Sequence, residues 1–486
     1  MAPRKPKHQA TSVKDIGAEI RGAGHGPPPS DGPYDVEEFN DEYAVVLIGS
    51  RCMVLREFTE GAPHERLQLL STEAFGAWNA NRIEYVENSK GDVKAVQKSS
   101  LWMRDRDRRQ YSGIVFEPDP GGPDVAAPPG TYNLWRGFEM ERNRAGGDCS
   151  AFLDHLLERV CQGSEELFHY LCAWFAHMVQ RPRERIGTAL VIRGGQGTGK
   201  TMIGQTIGSL FAPHYFLADD PRYLLGQFNA HMKGCLLLQA DEGFWAGDKQ
   251  AEGRLKGLVT SDIQFIEHKG VDPIQIKNYV RLLVTSNDQW VVPAGRDERR
   301  FAVFDIKDKG KGDASYFSSL FREASSPENK AALLDYLLEF DLSKVDLRDI
   351  PKTSGLFEQK MYSLEPIESW WLERLRDGGQ LPGSDHWRPW VATFRLYSSY
   401  LAFAERVGVR RRATQEEFAI KFLKLLPGLR KKRQRDPEEE DQGRGRVNGY
   451  EFPMELQAAR AWFEASIGQG VDWGDGDDPP AETSDL

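Results

Sequence analysis

The residues Gly194-Gly195-Gln196-Gly197-Thr198-Gly199-Lys200-Thr201 fit the pattern GxxxxGK[ST] at every fixed position. Glycines in such a loop let the backbone turn its N–H groups onto a phosphate, and a helix beginning at Lys200 adds a favourable dipole. Lys200 is placed to neutralise the outer phosphates of a nucleoside triphosphate, and the Thr201 hydroxyl to ligate magnesium. The expected ligands are therefore ATP and Mg2+. The competing reading is a glycine-rich turn that matches by chance. The flanks argue against it, because ALVIR before the loop reads as a strand and TMIGQTIGSLF after it as a helix.

Three further segments add groups that phosphate chemistry needs. Gly234 to Glu242 (GCLLLQADE) is an apolar run ending in two acids. A buried strand with that ending sets Asp241 to hold magnesium and Glu242 to act as general base on the attacking water. Arg281 to Asn287 (RLLVTSN) is another apolar run, and Asn287 at its end is placed to bridge a γ-phosphate and a water. A turn-favouring Asn just past a strand is the plainer account of that residue. The run GRDERRF then brings Arg296, Arg299 and Arg300 in front of the apolar FAVFDI. Arginine suits bidentate contact with a transferring phosphate, although a charged surface explains at least one of the three.

These groups need a sheet to carry them. From about 187 to 305 short apolar strands alternate with helices, which predicts a mostly parallel sheet. Around it the sequence predicts a disordered arm at 1–34, a mixed α+β domain at 35–147, a helical collar at 148–184, the nucleotide-binding core at 185–310, a helical lid or linker at 311–369, a helix-rich domain with a basic hairpin at 370–467 and a disordered acidic tail at 468–486. AVVLIGSRCMVL reads as strand, turn and strand, and SSLWMRD, GIVFEPDP and YNLWRGF as further strand-like segments. In the collar Ser164 caps a helix whose apolar face is Leu167, Tyr170, Leu171, Trp174, Phe175 and Met178, ending by Pro182.

The chain has 486 residues, 40% apolar and 28% charged, which suits a globular protein of several domains. No apolar run approaches a membrane span, so no membrane partner and a cytoplasmic place are expected. The five cysteines form no CxxC pair, which leaves neither a disulfide framework nor a zinc site to expect. A net charge of −10 argues against wholesale coating of nucleic acid, but not against a local basic track.

The order of the segments, phosphate loop, apolar-DE, LKGLVTSDIQFIEHKG, apolar-TSN and RDERRF, resembles the superfamily 3 helicases, and within them the poxvirus-type primase-helicase branch of phages and plasmids. The likeness runs over about 130–465 and is most specific from Gly194 to Phe301. It implies an α/β, P-loop AAA+-type ring ATPase core behind an N-terminal mixed α+β domain and helical collar, with a C-terminal winged helix. It also implies a homo-hexamer that moves 3′ to 5′ on single-stranded DNA, acting on forks beside a separate primase or polymerase. Between apolar-DE and apolar-TSN the family carries a hairpin whose tip lysine touches DNA. The matching residue is Lys269, beside His268, where two extended segments joined by KGVD leave one cation at the turn; a solvated turn lysine is the alternative. The family's arginine fingers carry over to Arg299 and Arg300, with either able to reach a neighbour's ATP.

In the last domain Thr414-Gln415-Glu416-Glu417 is a capping box, and Arg430, Lys431, Lys432 and Arg433 precede a plausible wing, GRGRVNGYEF. Those cations are set to meet DNA phosphates, while the acids PEEED between them leave protein docking open. Asp105-Arg106-Asp107 spells the DxD of a primase metal site, but its cationic surroundings suit a solvated surface. The expected activity is ATP hydrolysis driving a replicative DNA helicase. The alternatives are an ATP-switched initiator or loader and a non-replicative remodelling ATPase.

Overall fold

The structure is a computed structural model describing residues 32–58, 66–87, 91–142, 146–220, 222–226, 229–241, 249–267, 274–307, 313–384, 386–437 and 445–474. Glu242, His268 and Lys269 lie outside the described residues, as do 1–31 and 475–486. Two compact units divide the chain. The first runs to Val115 and takes up Ala127–Leu134, and the second holds Phe116–Ala126 and everything from Trp135 onward.

In the first unit α1 (Val36–Glu42) leads into the hairpin β1 (Tyr43–Ile48) and β2 (Arg51–Glu57), with β3 (Leu67–Ser71) beside β2 and α2 (Thr72–Trp78) after it. A second hairpin, β4 (Ile83–Glu87) and β5 (Val93–Gln97), is followed by α3 (Lys98–Trp102), and then by β6 (Gln110–Tyr111), β7 (Gly113–Val115) and β8 (Thr131–Asn133). Phe39, Tyr43, Val45, Val54, Phe75 and Trp102 form its core. The expected strand over SSLWMRD is a helix instead, because the Trp102 ring must turn inward between Phe39 and Phe75. Gly32 and Tyr34, inside the expected arm, are bonded to the first unit. Lys98 Nζ donates to the Gly32 carbonyl at 2.6 Å, and the Tyr34 hydroxyl to Asp105 at 2.9 Å.

The second unit opens with α4 (Ser150–His155), which runs through a π-turn at Leu156–Val160, and α5 (Glu165–Gln180), capped by the Ser164 hydroxyl. Residues 170–179 are buried all round, so α5 is enclosed rather than one-faced. Next come β9 (Ala189–Gly194), α6 (Lys200–Gly208), β10 (Tyr215–Ala218), the short α7 (Arg222–Leu225), β11 (Leu237–Asp241) and α8 (Lys249–Thr260). The hairpin β12 (Ile263–Ile266) and β13 (Ile274–Lys277) precedes β14 (Arg281–Ser286) and β15 (Phe301–Ile306). The order β10-β11-β14-β9-β15 makes one sheet, and every pair in it is parallel. Near-continuous burial along β9, β11, β14 and β15 follows from covering both faces of such a sheet. β9 leads to strands on one side and is flanked on the other by β15, so the crevice beyond its C-terminal end is where ligands of open α/β sheets bind.

Helices α9 (Ala314–Ser325), α10 (Pro327–Glu339) and α11 (Ser354–Tyr362) follow. Then α12 (Pro366–Arg376), β16 (Trp390–Ala392), α13 (Thr393–Arg406), α14 (Gln415–Leu425), β17 (Arg430–Gln434), β18 (Val447–Glu451) and α15 (Leu456–Ile467) build a domain on Trp370, Trp371, Phe418 and Phe422. Its sheet has the order β16-β18-β17 and is antiparallel. Order continues past the expected start of the tail. Val471 is buried, and the Trp473 indole donates to Glu464 at 2.9 Å.

The expected N-terminal domain of 35–147 is divided by this arrangement. Segment 116–126 joins the second unit because Glu117 bonds Lys277 and Tyr279, and Asp119 pairs with Arg183 at 2.7 Å.

Candidate active site

Three parallel strands stop at one level. Asp241 at the end of β11 lies opposite Thr285 of β14, and Ser286 lies opposite Arg193 of β9. Register therefore brings Gly194, Asp241 and Asn287 together at the strand ends, though they are far apart in sequence. The loop leaves β9 at Gly194, where an added Cβ would meet the Ile306 carbonyl at 2.9 Å. Gln196 and Gly197 form its exposed tip, and Thr198 Oγ1 donates back to the Gly195 carbonyl at 2.9 Å. Gly197 and Gly199 have φ of 78° and 84°, the left-handed region glycine reaches without strain.

Lys200 is buried at the first position of α6. Its ammonium donates to the carbonyls of Gly194 and Gly195 at 2.8 and 2.7 Å, and to Asn287 Oδ1 at 2.7 Å. Thr201 Oγ1 donates to Asp241 Oδ2 at 2.8 Å, and Thr285 Oγ1 to Asp241 Oδ1 at 2.6 Å. Beneath them Gln239 is fully buried, donating to the Thr201 carbonyl and accepting from the Tyr215 hydroxyl. Gly204 has to be glycine here, since a Cβ would lie 1.9 Å from Gln239 Oε1. A hydroxyl bonded to a carboxylate, with the hydroxyl on the residue next to a buried cation and its glycine cradle, is a donor set that fits magnesium and a triphosphate. The general base expected at Glu242 lies outside the described residues.

Arg193, the residue before the loop, is locked by Asp305 (2.7 and 2.8 Å) and Glu358 (2.6 Å), which ties β9 to β15 and α11. The arginine run separates into three fates. Arg296 is paired with Glu368 of α12. Glu298 is buried and accepts the backbone N–H groups of Arg299 and Arg300 at 3.0 and 2.7 Å, with the Arg300 guanidinium 3.5 Å away. Arg299 is exposed, and among the described residues its side chain has no partner.

A cluster that sequence reasoning missed stands against the loop. A Cβ on Gly199 would meet Phe317 at 2.7 Å and His155 at 3.4 Å. His155 Nδ1 lies 3.1 Å from the Tyr316 hydroxyl, and Arg159 lies over the Tyr316 ring at 5.1 Å. Burial, helped by Arg159, pushes the His155 imidazole down to about 4, so it is neutral at pH 7, and its Nε2 is buried without a hydrogen bond among the described residues. Only the fold brings α4 and α9 to Gly199, and no local signal in the sequence marks them.

Residues 192–300, from β9 through the arginine run, match a family described as a family of unknown function, DUF5906. The chain is 26% identical over 284 residues to the DNA primase-polymerase of Nitratiruptor phage NrS-1, an alignment that spans 57% of this chain and 39% of that one. The chain thus matches about two fifths of that relative's length. Among solved structures, the apo form of the NrS-1 C-terminal region superposes with a TM-score of 0.58 at 14% identity, covering 85% of this chain and 97% of that one. A second apo form of the same region gives 0.57 over 84% and 95%, also at 14% identity. The structural likeness shows a shared fold.

Away from the sheet, Arg430, Lys431, Lys432 and Arg433 lie on the exposed β17, paired with Glu451, Tyr450, Gly449 and Asn448 of β18. A groove of about 760 Å³ runs between Lys431, Lys432 and Arg433 and the start of α14, where Thr414 and Glu417 cap each other. Arg410, Arg411 and Arg412 stand just before that cap, the last two exposed and Arg410 exposed beside them. Sequence reasoning passed over these three, though a run of arginines ahead of a capping box was there to be seen. Asp105 accepts from the Tyr34 hydroxyl and the Asp107 backbone, and Asp107 pairs with Arg106, as in a surface turn. Among the described residues no group of three or more His, Cys, Asp or Glu is placed to hold a metal, and no helix is long and apolar enough to cross a membrane.

Proposed function

We propose that this chain is an ATP-hydrolysing DNA motor serving phage-type DNA replication, with a AAA+-type core. The observation that carries the reading is the meeting of Lys200, Thr201, Asp241 and Asn287 at the ends of three adjacent parallel strands. Lys200 would hold the β- and γ-phosphates in place of the loop carbonyls, and Asn287, already on its ammonium, would orient the γ-phosphate. Thr201 and Asp241 would hold Mg2+, which supplies charge neutralisation to the phosphates. Glu242, the next residue after Asp241, would take the proton of the attacking water. His155, Tyr316 and Phe317 offer an aromatic wall beside Gly199 for the nucleoside.

The site also needs a group from outside. Arg299 is exposed on its own subunit while Arg300 is held by Glu298, so Arg299 is the better arginine finger for a neighbouring copy in a homo-hexameric ring. The resemblance to superfamily 3 supplies the ring, the 3′ to 5′ direction and the host-cell cytoplasm. The likeness to a phage primase-polymerase supports a place in replication, beside a primase or polymerase. The last domain, with its helices, three-stranded sheet and exposed hairpin cations, reads as a winged helix gripping DNA phosphates through Arg430 to Arg433.

The test is ATP turnover and nucleotide binding by wild type, Lys200→Ala and Glu242→Gln. Glu242→Gln is expected to bind ATP and fail to hydrolyse it. Normal turnover by Glu242→Gln overturns the general-base assignment, and nucleotide-dependent assembly without turnover in wild type favours the initiator reading instead.

A further inference from the structure

The β12–β13 hairpin is gripped at its root from two sides. One grip comes from the end of α8, the helix that follows the catalytic acids in the chain. Asn278 is buried and donates to the carbonyls of Leu258 at 2.9 Å and Ser261 at 2.8 Å, while Arg185 donates to those of Leu258 at 3.2 Å and Asn278 at 3.0 Å. The other grip is Glu117. Its carboxylate accepts Lys277 Nζ at 2.8 Å through Oε1 and the Tyr279 hydroxyl at 2.6 Å through Oε2. Lys277 pairs with Ile263, so the bond is made at the open end of the hairpin. Glu117 is itself braced. Two residues on, the Asp119 carboxylate takes Arg183 at 2.7 Å, and its carbonyl takes the Trp135 indole at 2.8 Å. An acid that merely decorates the surface would be hydrated, whereas Glu117 is 8% exposed with both oxygens used, one of them by a buried tyrosine.

We infer that Glu117 is a positioning residue for the hairpin: it fixes the root so that a shift of α8 is passed along β12 and β13 instead of being absorbed at the base. This rests on the reading that the chain joining β12 to β13, which includes Lys269 in sequence, contacts DNA. Coupling between sites is carried by packed side chains and hydrogen-bond networks, and changes along them alter it without touching either ligand. Breaking the grip therefore uncouples the hairpin from the nucleotide while leaving the residues on the phosphates in place.

The experiment measures ATP hydrolysis by the full chain, with and without a thymidine oligonucleotide, alongside a thermal melt. The variants are Glu117→Gln, which keeps the volume and an acceptor for Tyr279, Lys277→Glu, and the charge swap Glu117→Lys with Lys277→Glu. Glu117→Gln is expected to keep basal turnover and melting temperature and to lose about two- to thirtyfold of the DNA stimulation, the span that coupling energies of this kind give. The swap is expected to recover part of that loss. Full stimulation in Glu117→Gln overturns the inference, as does a swap that recovers nothing, or a fall in basal turnover matched by a fall in melting temperature. Lost stimulation in Lys269→Ala but not in Glu117→Gln leaves the DNA-contacting hairpin standing and removes Glu117 from it. A wild type that DNA does not stimulate overturns the hairpin reading and this inference together.

Discussion

Lys200 and Lys431 are both lysines at the start of a short element, yet one is buried among oxygens and the other stands in solvent. Lys200 donates to two carbonyls and to Asn287, and its neighbours Thr201 and Asp241 are bonded to each other. Lys431 shares β17 with Arg430, Lys432 and Arg433, all exposed, and among the described residues Lys431 has no side-chain partner. Burial fixes the first set before any ligand arrives, and the low local dielectric makes each charge in it count for more. The second set is screened by solvent, so its members act nearly additively and salt weakens them. On the proposed function, the first region suits chemistry at a fixed point and the second suits gripping a charged surface that varies.

The sharpest way to break that contrast is to delete one charge from each. Lys200→Ala is expected to lower ATP turnover by about a hundredfold or more, the usual consequence of removing one preorganised electrostatic group, with the fold intact by circular dichroism. Reversing Arg430, Lys431 and Arg433 to Glu is expected to weaken duplex binding about tenfold or more at low salt. The slope of log affinity against log salt would become shallower by about 0.9 for each phosphate that the strand no longer neutralises. Unchanged affinity across that series would assign β17 to protein docking.

How much of this was legible in the sequence follows the same division. The strand–loop–helix around Gly194 to Thr201 could be read because its glycines, Lys200 and Thr201 are contiguous between two apolar segments, and the position of Asp241 because four buried residues lead to it along β11. The helix over SSLWMRD could not, because Leu101, Trp102 and Met103 carry no period long enough to separate a five-residue helix from a strand. Segment 116–126 reads as a loop of a small domain, and only the bonds from Glu117 and Asp119 to residues far along the chain place it with the second unit. The choice between Arg299 and Arg300 rests on Glu298, whose burial no pattern of charges reveals.

Two smaller effects sharpen the picture of the buried side. Burial pushes the imidazoles of His155, His177 and His214 from 6.5 down to about 4. The unfolded chain takes up protons that the folded chain refuses, so this stability is full above the unfolded value and is lost as the pH falls towards the folded one. Melts at about pH 7.5 and about pH 5, a window in which most carboxylates stay charged, are expected to differ by several degrees, lower at the acid end. Equal melting temperatures would mean that these histidines are hydrated.

The smallest contrast is between two glycines of the loop. Gly197→Ala meets no atom within 4 Å and bears only the left-handed strain, about 1 kcal/mol, whereas Gly199→Ala bears that strain and presses on Phe317 at 2.7 Å. Nucleotide affinity measured by titration is expected to fall further for Gly199→Ala than for Gly197→Ala. Equal losses would remove Phe317 and His155 from the wall of the site.

On the proposed function, the groups gathered at the ends of β9, β11 and β14 hydrolyse ATP in answer to DNA. Phosphate release by the wild-type chain, followed with and without a single-stranded oligonucleotide and with Lys200→Ala as the blank, tests it most directly. The expected result is turnover that the oligonucleotide raises and that Lys200→Ala abolishes in both conditions. Turnover equal in wild type and Lys200→Ala, or no turnover under either condition, contradicts it.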